Sequence, residues 1–323
     1  MKRVNQFFIE LGKEIFEVTL TLFKIMIPVI IVMKVVEEVG GIDLLSHCLS
    51  PLMSLVGLPS EMGIVWATTL LTNNYAGVAV LLNLGVPLTI AQASIIGSMM
   101  LLAHSIPIEG AIAKKAGVSW WSTILIRVGG SLLFGWILFQ IYQYGGYLEQ
   151  PAVPLWQPDS ISDPNWLDWT FGQVENLFMI VVVVSVLLFA LKLLKLMGIE
   201  KLMAILLRPL FRILGISRQA TNLTIIGVTL GISFGGGLLI NEAEKGHIPA
   251  RDVFTAVMLL NLLHSLIEDT LLILVIGADF YAIFWGRLIF SVVLVSIIAL
   301  AMRKLDDSVC EKYFYRSVHR QAT

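Results

Sequence analysis

Long apolar runs separated by short polar ones set the rhythm of this chain. The runs occupy roughly residues 18–38, 62–84, 88–116 and 119–142, then 176–197, 221–241, 250–276 and 279–302. Each is close to the ~20 residues a helix needs to cross the hydrocarbon core of a bilayer. The pattern predicts an all-α polytopic membrane protein. Ahead of the first run, Phe7, Phe8, Leu11, Ile15 and Phe16 share one helical face. Residues 1–17 therefore read as an amphipathic interfacial helix or as an ordinary lead-in to the first span.

The runs fall into two similar halves. SPLMSLVGL at 50–58 matches RPLFRILGI at 208–216, pairing Pro51 with Pro209 and Gly57 with Gly215. His104, Ser105, Gly117 and Arg127 recur 160 residues later as His264, Ser265, Gly277 and Arg287, with Asp269 standing where the first half has Glu109. Rare polar types repeating at one offset indicate an internal repeat, residues 18–142 against 174–302. Between them, residues 143–173 form a linker rich in Pro, acid and Trp, and residues 303–323 form a tail.

Basic residues orient the halves. No Lys or Arg occurs between Arg127 and Lys192, whereas Lys2, Arg3 and Lys13 mark the amino end and Arg303, Lys304, Lys312, Arg316 and Arg320 mark the tail. Under the positive-inside rule both ends lie in the cytoplasm and the linker lies outside. Each half then crosses an odd number of times, so the repeats are inverted in topology. Four apolar runs per half would give an even count, so one run per half must enter and return. The third is expected to do so, since a re-entrant hairpin over 88–116 keeps Lys114 and Lys115 cytoplasmic. Lys24 within the first span, and Lys245 with Arg251 in a loop this scheme places outside, count against it. The fold class expected is two inverted repeats, each of about three spans plus one re-entrant hairpin, with broken helices at the midplane.

Composition narrows the function classes. The 323 residues are 57% hydrophobic and 14% charged, with net charge −1, so nothing favours a nucleic-acid partner. The two cysteines, Cys48 and Cys310, lack metal-ligand or disulfide spacing. No HExxH, GxSxG or Walker A sequence occurs, so the chain is not expected to be an enzyme. The lipid bilayer is the one partner that composition itself implies.

The chemistry that remains is a sparse set of polar residues within the apolar runs. LLAHSIPIEG holds His104, Ser105 and Glu109; LNLLHSLIED holds His264, Ser265, Glu268 and Asp269. On the expected hairpins both His-Ser pairs sit at the tips, near the bilayer midplane. The second run of each half is weak at the same depth, with Asn73 and Asn74 in one and Ser233 beside Gly235, Gly236 and Gly237 in the other. Asn73, Asn74, His104, Ser105, Ser233, His264 and Ser265 are the expected solute contacts. Glu109, Glu268 and Asp269 are the expected carriers of a coupling ion, Na⁺ or H⁺, with Glu268 the foremost because no basic residue is evidently paired with it. Glu109 with Arg127 and Asp269 with Arg287 share an 18-residue spacing and read equally well as structural ion pairs. The histidines could instead be ordinary donors to backbone carbonyls, and the glycines simple packing residues. No resident cofactor is expected, and whether a metal binds is left open.

With SPLMSLVGLPSE, the interrupted LTNNYAGVAVLLNLGVP and HSIPIEG, the chain resembles the nucleoside-recognition, or Gate, membrane protein family. That family includes spore maturation proteins A and B and, more distantly, the gates of ferrous-iron transporters and concentrative nucleoside transporters. The resemblance implies a multi-pass protein of the bacterial inner membrane built to move solutes, and it does not transfer a substrate. The expected function is ion-coupled secondary transport of a small polar solute at a midplane site between the repeats. The alternatives are a non-transporting scaffold or regulatory subunit of the spore-maturation type, and an ion or metal pore. Solute identity, coupling ion, stoichiometry and homo-oligomerisation stay open.

Overall fold

The structure is a computed structural model that describes residues 2–39, 41–156, 166–230, 237–238, 240–242, 244–245 and 248–316. It is all-helical, with two isolated β-bridges and no strand among the described residues. Among the described residues, six helical stretches are long and apolar enough to cross a membrane: Gln6–Val32, Ile90–Lys115, Trp120–Gly145, Trp166–Leu196, Ala250–Leu274 and Tyr281–Arg303. The chain is thus a polytopic helical membrane protein in build, as its hydrophobic pattern requires.

Burial sorts these six into layers. Of the most apolar stretch of Ile90–Lys115 and of Ala250–Leu274, 72% is buried, against 11% for Trp166–Leu196. The last presents Phe178, Val186, Phe189 and Leu196 outward, as a helix solvated by lipid does. Lys2–Glu38 packs beside it as one uninterrupted helix, with Lys192 Nζ 2.9 Å from Glu14 Oε1 and the Phe7 and Phe189 rings edge to face. At ~1.5 Å per residue this helix is longer than the bilayer core is thick. The amphipathic start therefore continues into the first span rather than forming a separate element.

The two ends of the bundle are fixed by backbone hydrogen bonds. At one end the linker meets the transmembrane helices: Ala152 N donates to Leu88 O, Ala91 N to Leu148 O, and Leu155 N to Val275 O, at 2.8–2.9 Å. At the other, Ser119 N donates to Phe314 O and Arg316 N to Gly117 O, Ser217 N donates to Asp252 Oδ2, and Arg251 pairs with Asp307. Residues 88–91 and 117–119 lie at opposite ends, so the third apolar run passes through the bundle and does not return. Ala250–Leu274 runs the other way, from Arg251 at the tail end to Val275 at the linker end.

This corrects the expectation that runs 88–116 and 250–276 are hairpins. The re-entrant element is the second run. Met62–Leu71 and Asn74–Leu84 fold back and pack on each other, and both arms return to the linker end, where Asn83 Oδ1 accepts from Gln173 and Asn176. The arms approach so closely that a Cβ at Gly77 would lie 1.9 Å from Thr69 Oγ1. In the second half, Arg218–Leu230 enters from the tail end, and Gln219 Nε2 reaches Glu242 Oε2 at 2.9 Å where the chain has come back. Sequence reasoning selects the wrong run because an apolar segment of ~25 residues reads alike whether it is one helix or two short antiparallel ones. Three of the six candidate spans fall in each half, and the turn of the second run in the second half lies outside the described residues.

The reassignment removes the charge conflict at Lys245 and Arg251, while Lys24 stays within the first span. Lys114, Lys115, Lys245 and Arg251 all fall at the tail end with the basic residues of the tail itself. Among the described residues the linker end carries one basic side chain, Lys34, and that is paired with Glu38 at 3.0 Å. The short helices Gly41–Leu55 and Ile199–Ile213, with Pro51 and Pro209 inside them, cap opposite ends of the bundle. Each is followed by a glycine with positive φ, Gly57 at 70° and Gly215 at 66°, the conformation that closes a helix and that glycine adopts at least cost.

Candidate functional site at the crossing of two broken helices

The inner helices are broken at the same place in sequence. Ile90–Leu102 stops and Ile106–Lys115 resumes; Ala250–Leu263 stops and Leu266–Leu274 resumes. The residues between are Ala103, His104 and Ser105 in one and His264 and Ser265 in the other. Ser105 and Ser265 adopt left-handed φ of 48° and 47°, an uncommon conformation for a residue with a Cβ. At ~1.5 Å per residue, 13 and 14 helical residues precede the breaks, which puts them about 20 Å in, deep within the bilayer. The His-Ser pairs are therefore at mid-membrane depth as expected, but at breaks in crossing helices and not at hairpin tips.

A break leaves backbone carbonyls without their helical donors, and in lipid each must find another. Two fully buried arginines supply them. Arg127 Nη2 donates to His104 O at 2.6 Å; Arg287 Nη2 donates to His264 O and its Nε to Leu262 O, both at 2.9 Å. Arg127 lies within a π-helical turn, Leu125–Gly129, and Arg287 directly follows another, Tyr281–Gly286. Such turns shift the register of a helix face and recur at functional sites. Sequence reasoning misses the role of the arginines as backbone donors, since nothing in spacing distinguishes a carbonyl partner from a carboxylate one.

The expected ion pairs divide. Arg127 Nη1 bonds Glu109 Oε2 in a short contact. Arg287 makes no pair with Asp269 within 4 Å among the described residues. Asp269 instead stands with Oδ2 3.7 Å from His104 Nε2 and no hydrogen-bond partner.

The two breaks touch. His104 Nε2 and His264 Nε2 are 2.9 Å apart, and both lie 3.3 Å from Glu109 Oε1. Each ring is held from behind by the carbonyl four residues earlier, Met100 O at 2.9 Å and Leu260 O at 2.7 Å. His104, His264, Glu109 and Asp269 are all buried. Helices from both halves thus converge their rarest side chains on one point, which the 160-residue recurrence foreshadowed and only the antiparallel crossing produces.

The other expected contacts arrange around this centre. Buried Asn74 places Nδ2 3.2 Å from His104 Nδ1. Asn73 acts locally, its Oδ1 accepting from Ala76 N at 2.9 Å to cap Asn74–Leu84. Ser105 fastens the break to the hairpin tip, its N donating to Thr69 O at 3.1 Å and its Oγ to Thr72 O at 2.6 Å. Glu268 is half-buried, with Tyr75 Oη 3.5 Å from its Oε1. Ser233, Gly235 and Gly236 lie outside the described residues. Tyr75 is not among the residues expected from sequence, and only the contact between the halves brings it to Glu268.

No family model matches the chain, and no solved structure matches it. Over 308 residues, 92% of this chain and 95% of the relative, it is 24% identical to the uncharacterized membrane protein YvoD of Bacillus subtilis. At that coverage the similarity runs through both halves and the linker. With six candidate spans and this relative, the chain is a membrane protein.

Proposed function

We propose that the chain is an ion-coupled secondary transporter whose translocation centre is the contact between its two broken helices. The carrying observation is the 2.9 Å approach of His104 and His264 at breaks in antiparallel crossing helices, one from each half. Broken helices near the midplane expose backbone dipoles to a solute and give each half a point at which to move against the other. Ionisable groups buried at that depth are costly, and function is the usual reason a membrane protein keeps them there. The cargo is a small polar solute, contacted by Asn74, His104, Ser105, His264 and Ser265, with Glu268 and Asp269 carrying the coupling H⁺ or Na⁺. Resemblance to the Gate family supports a bacterial inner-membrane protein, and the basic tail end supports a cytoplasmic placement of that end.

Uptake into proteoliposomes tests this reading. A panel of radiolabelled nucleosides and other small polar solutes should include one that accumulates when a pH or Na⁺ gradient is imposed and not when it is collapsed. Accumulation independent of either gradient would point to a pore. Neither uptake nor stabilisation by any solute, with intact folded protein, would favour a scaffold and overturn the proposal.

A further inference from the structure

The histidine pair has a protonation problem that its geometry defines. A backbone carbonyl oxygen only accepts, so the contacts of Met100 O with His104 Nδ1 and Leu260 O with His264 Nδ1 require a proton on each Nδ1. The Asn74 amide does not oppose this. Its Oδ1 is buried without a partner, and exchanging Oδ1 with Nδ2 puts an acceptor beside the same Nδ1–H. With both Nδ1 atoms protonated, each neutral ring presents a lone pair at Nε2, and the two lone pairs face each other at 2.9 Å. Glu109 Oε1 adds a third lone-pair donor 3.3 Å from both. Three donors converging on one point repel unless something positive lies among them.

Their spacing states what fits. Zinc-like ions sit ~2.0–2.1 Å from imidazole nitrogen and carboxylate oxygen, so ligand atoms at the corners of a tetrahedron are about 3.3–3.4 Å apart. The observed edges are 2.9, 3.3 and 3.3 Å. Next to this triad, Asp269 Oδ2, buried and unpartnered, stands 3.7 Å from His104 Nε2. Orientation behind the ligands is already built. Each imidazole donates its other N–H to a carbonyl, and Arg127 takes Glu109 Oε2, which leaves Oε1 free to face the centre.

We infer that His104, His264 and Glu109, with the Asp269 carboxylate beside them, form a binding site for one divalent transition-metal cation of the zinc or cobalt type. The donor set of two imidazoles and a carboxylate suits such ions better than Mg²⁺ or Ca²⁺, which prefer all-oxygen shells. A single proton shared between the two Nε2 atoms satisfies the same lone pairs, so metal and proton exclude one another. Loading writes as M²⁺ plus the protonated pair giving the metal-bound pair plus H⁺, with no change in oxidation state. Metal occupancy is therefore reversible and falls as pH is lowered. The site stands on this geometry alone and holds whether or not the protein transports a solute.

Zn²⁺ and Co²⁺ titrations of the full chain in detergent decide it. A chromophoric chelator supplies the competition, and weakly buffered solution with a pH indicator reports proton release. The expected result is one ion per chain, about one proton released, and a Co²⁺ visible spectrum of tetrahedral intensity. His104→Ala, His264→Ala and Glu109→Gln should each weaken binding at least about tenfold. Should any of these fail to fold, Asp269→Asn, which loses no hydrogen bond, should still alter the Co²⁺ spectrum. Binding unchanged in the folded variants would assign the ion to His47, His247 or His319 and overturn the site. Absence of saturable binding, with ¹⁵N spectra showing a shared imidazole proton insensitive to Zn²⁺, would also overturn it. Solute uptake in proteoliposomes is read separately, so either result leaves the transport proposal to its own test.

Discussion

Arg127→Met removes a guanidinium that is fully buried and engaged on two sides. On one side it balances Glu109; on the other it replaces the helical donor that the break denies to His104 O. Breaking a buried ion pair by deleting one partner costs about 3–5 kcal/mol, because the surviving charge is left without compensation. An orphaned buried carbonyl costs a further ~1–3 kcal/mol. The two do not simply add, since Glu109 can take a proton once its partner is gone. A total of about 3–5 kcal/mol is expected. Glu109→Gln removes the charge and keeps the shape, so the double variant should lose less than the sum of the singles, with a coupling energy of roughly 2–3 kcal/mol. Equilibrium unfolding by SDS in mixed micelles, followed by tryptophan fluorescence, measures all four members of the cycle. A single variant within ~1 kcal/mol of the parent, or a coupling near zero, would show that Arg127 does not hold Glu109 and the broken backbone as described.

Arg287→Met should cost less than Arg127→Met, about 2–3 kcal/mol in the same assay, because it orphans the Leu262 and His264 carbonyls without breaking an ion pair closer than 4 Å. Gly77→Ala should destabilise by about 1–3 kcal/mol, since its Cβ would meet Thr69 Oγ1 at 1.9 Å and Met100 Cε at 2.8 Å, whereas Gly12→Ala, with nothing within 4 Å, should be neutral or better in a melting comparison. In a Cys48→Ser/Cys310→Ser background, cysteines replacing Glu149 and Lys115 should label from opposite sides of the membrane, and cysteines replacing Lys115 and Lys245 from the same side. Labelling of Lys115→Cys and Lys245→Cys from opposite sides would restore the hairpins to residues 88–116 and 250–276. Glu268→Gln should abolish gradient-driven accumulation while leaving the melting temperature nearly unchanged, and a large loss of stability with normal coupling would make it a structural residue.

The physical constraints that act along the chain were legible from sequence. Lipid permits only continuous internal hydrogen bonding, so apolar runs of ~20 residues had to be helices, and the placement of Lys and Arg implied odd crossings in each half. The recurrence of His104, Ser105, Glu109 and Arg127 as His264, Ser265, Asp269 and Arg287 identified the polar centre before any contact was known. What sequence could not settle was which run folds back, because an apolar run of given length serves as one helix or two, and the decision rests on arm-to-arm packing such as Gly77 against Thr69. Nor could it say whom the arginines serve. The same 18-residue spacing yields an ion pair in one half, Arg127 with Glu109, and two carbonyl bonds in the other, because the partner is chosen by the geometry of the break. The contact at the centre of the site, between His104 and His264, is a property of two helices crossing in opposite directions. Side chains 160 residues apart meet only when three-dimensional packing brings their breaks to the same depth, and tertiary structure alone supplies that.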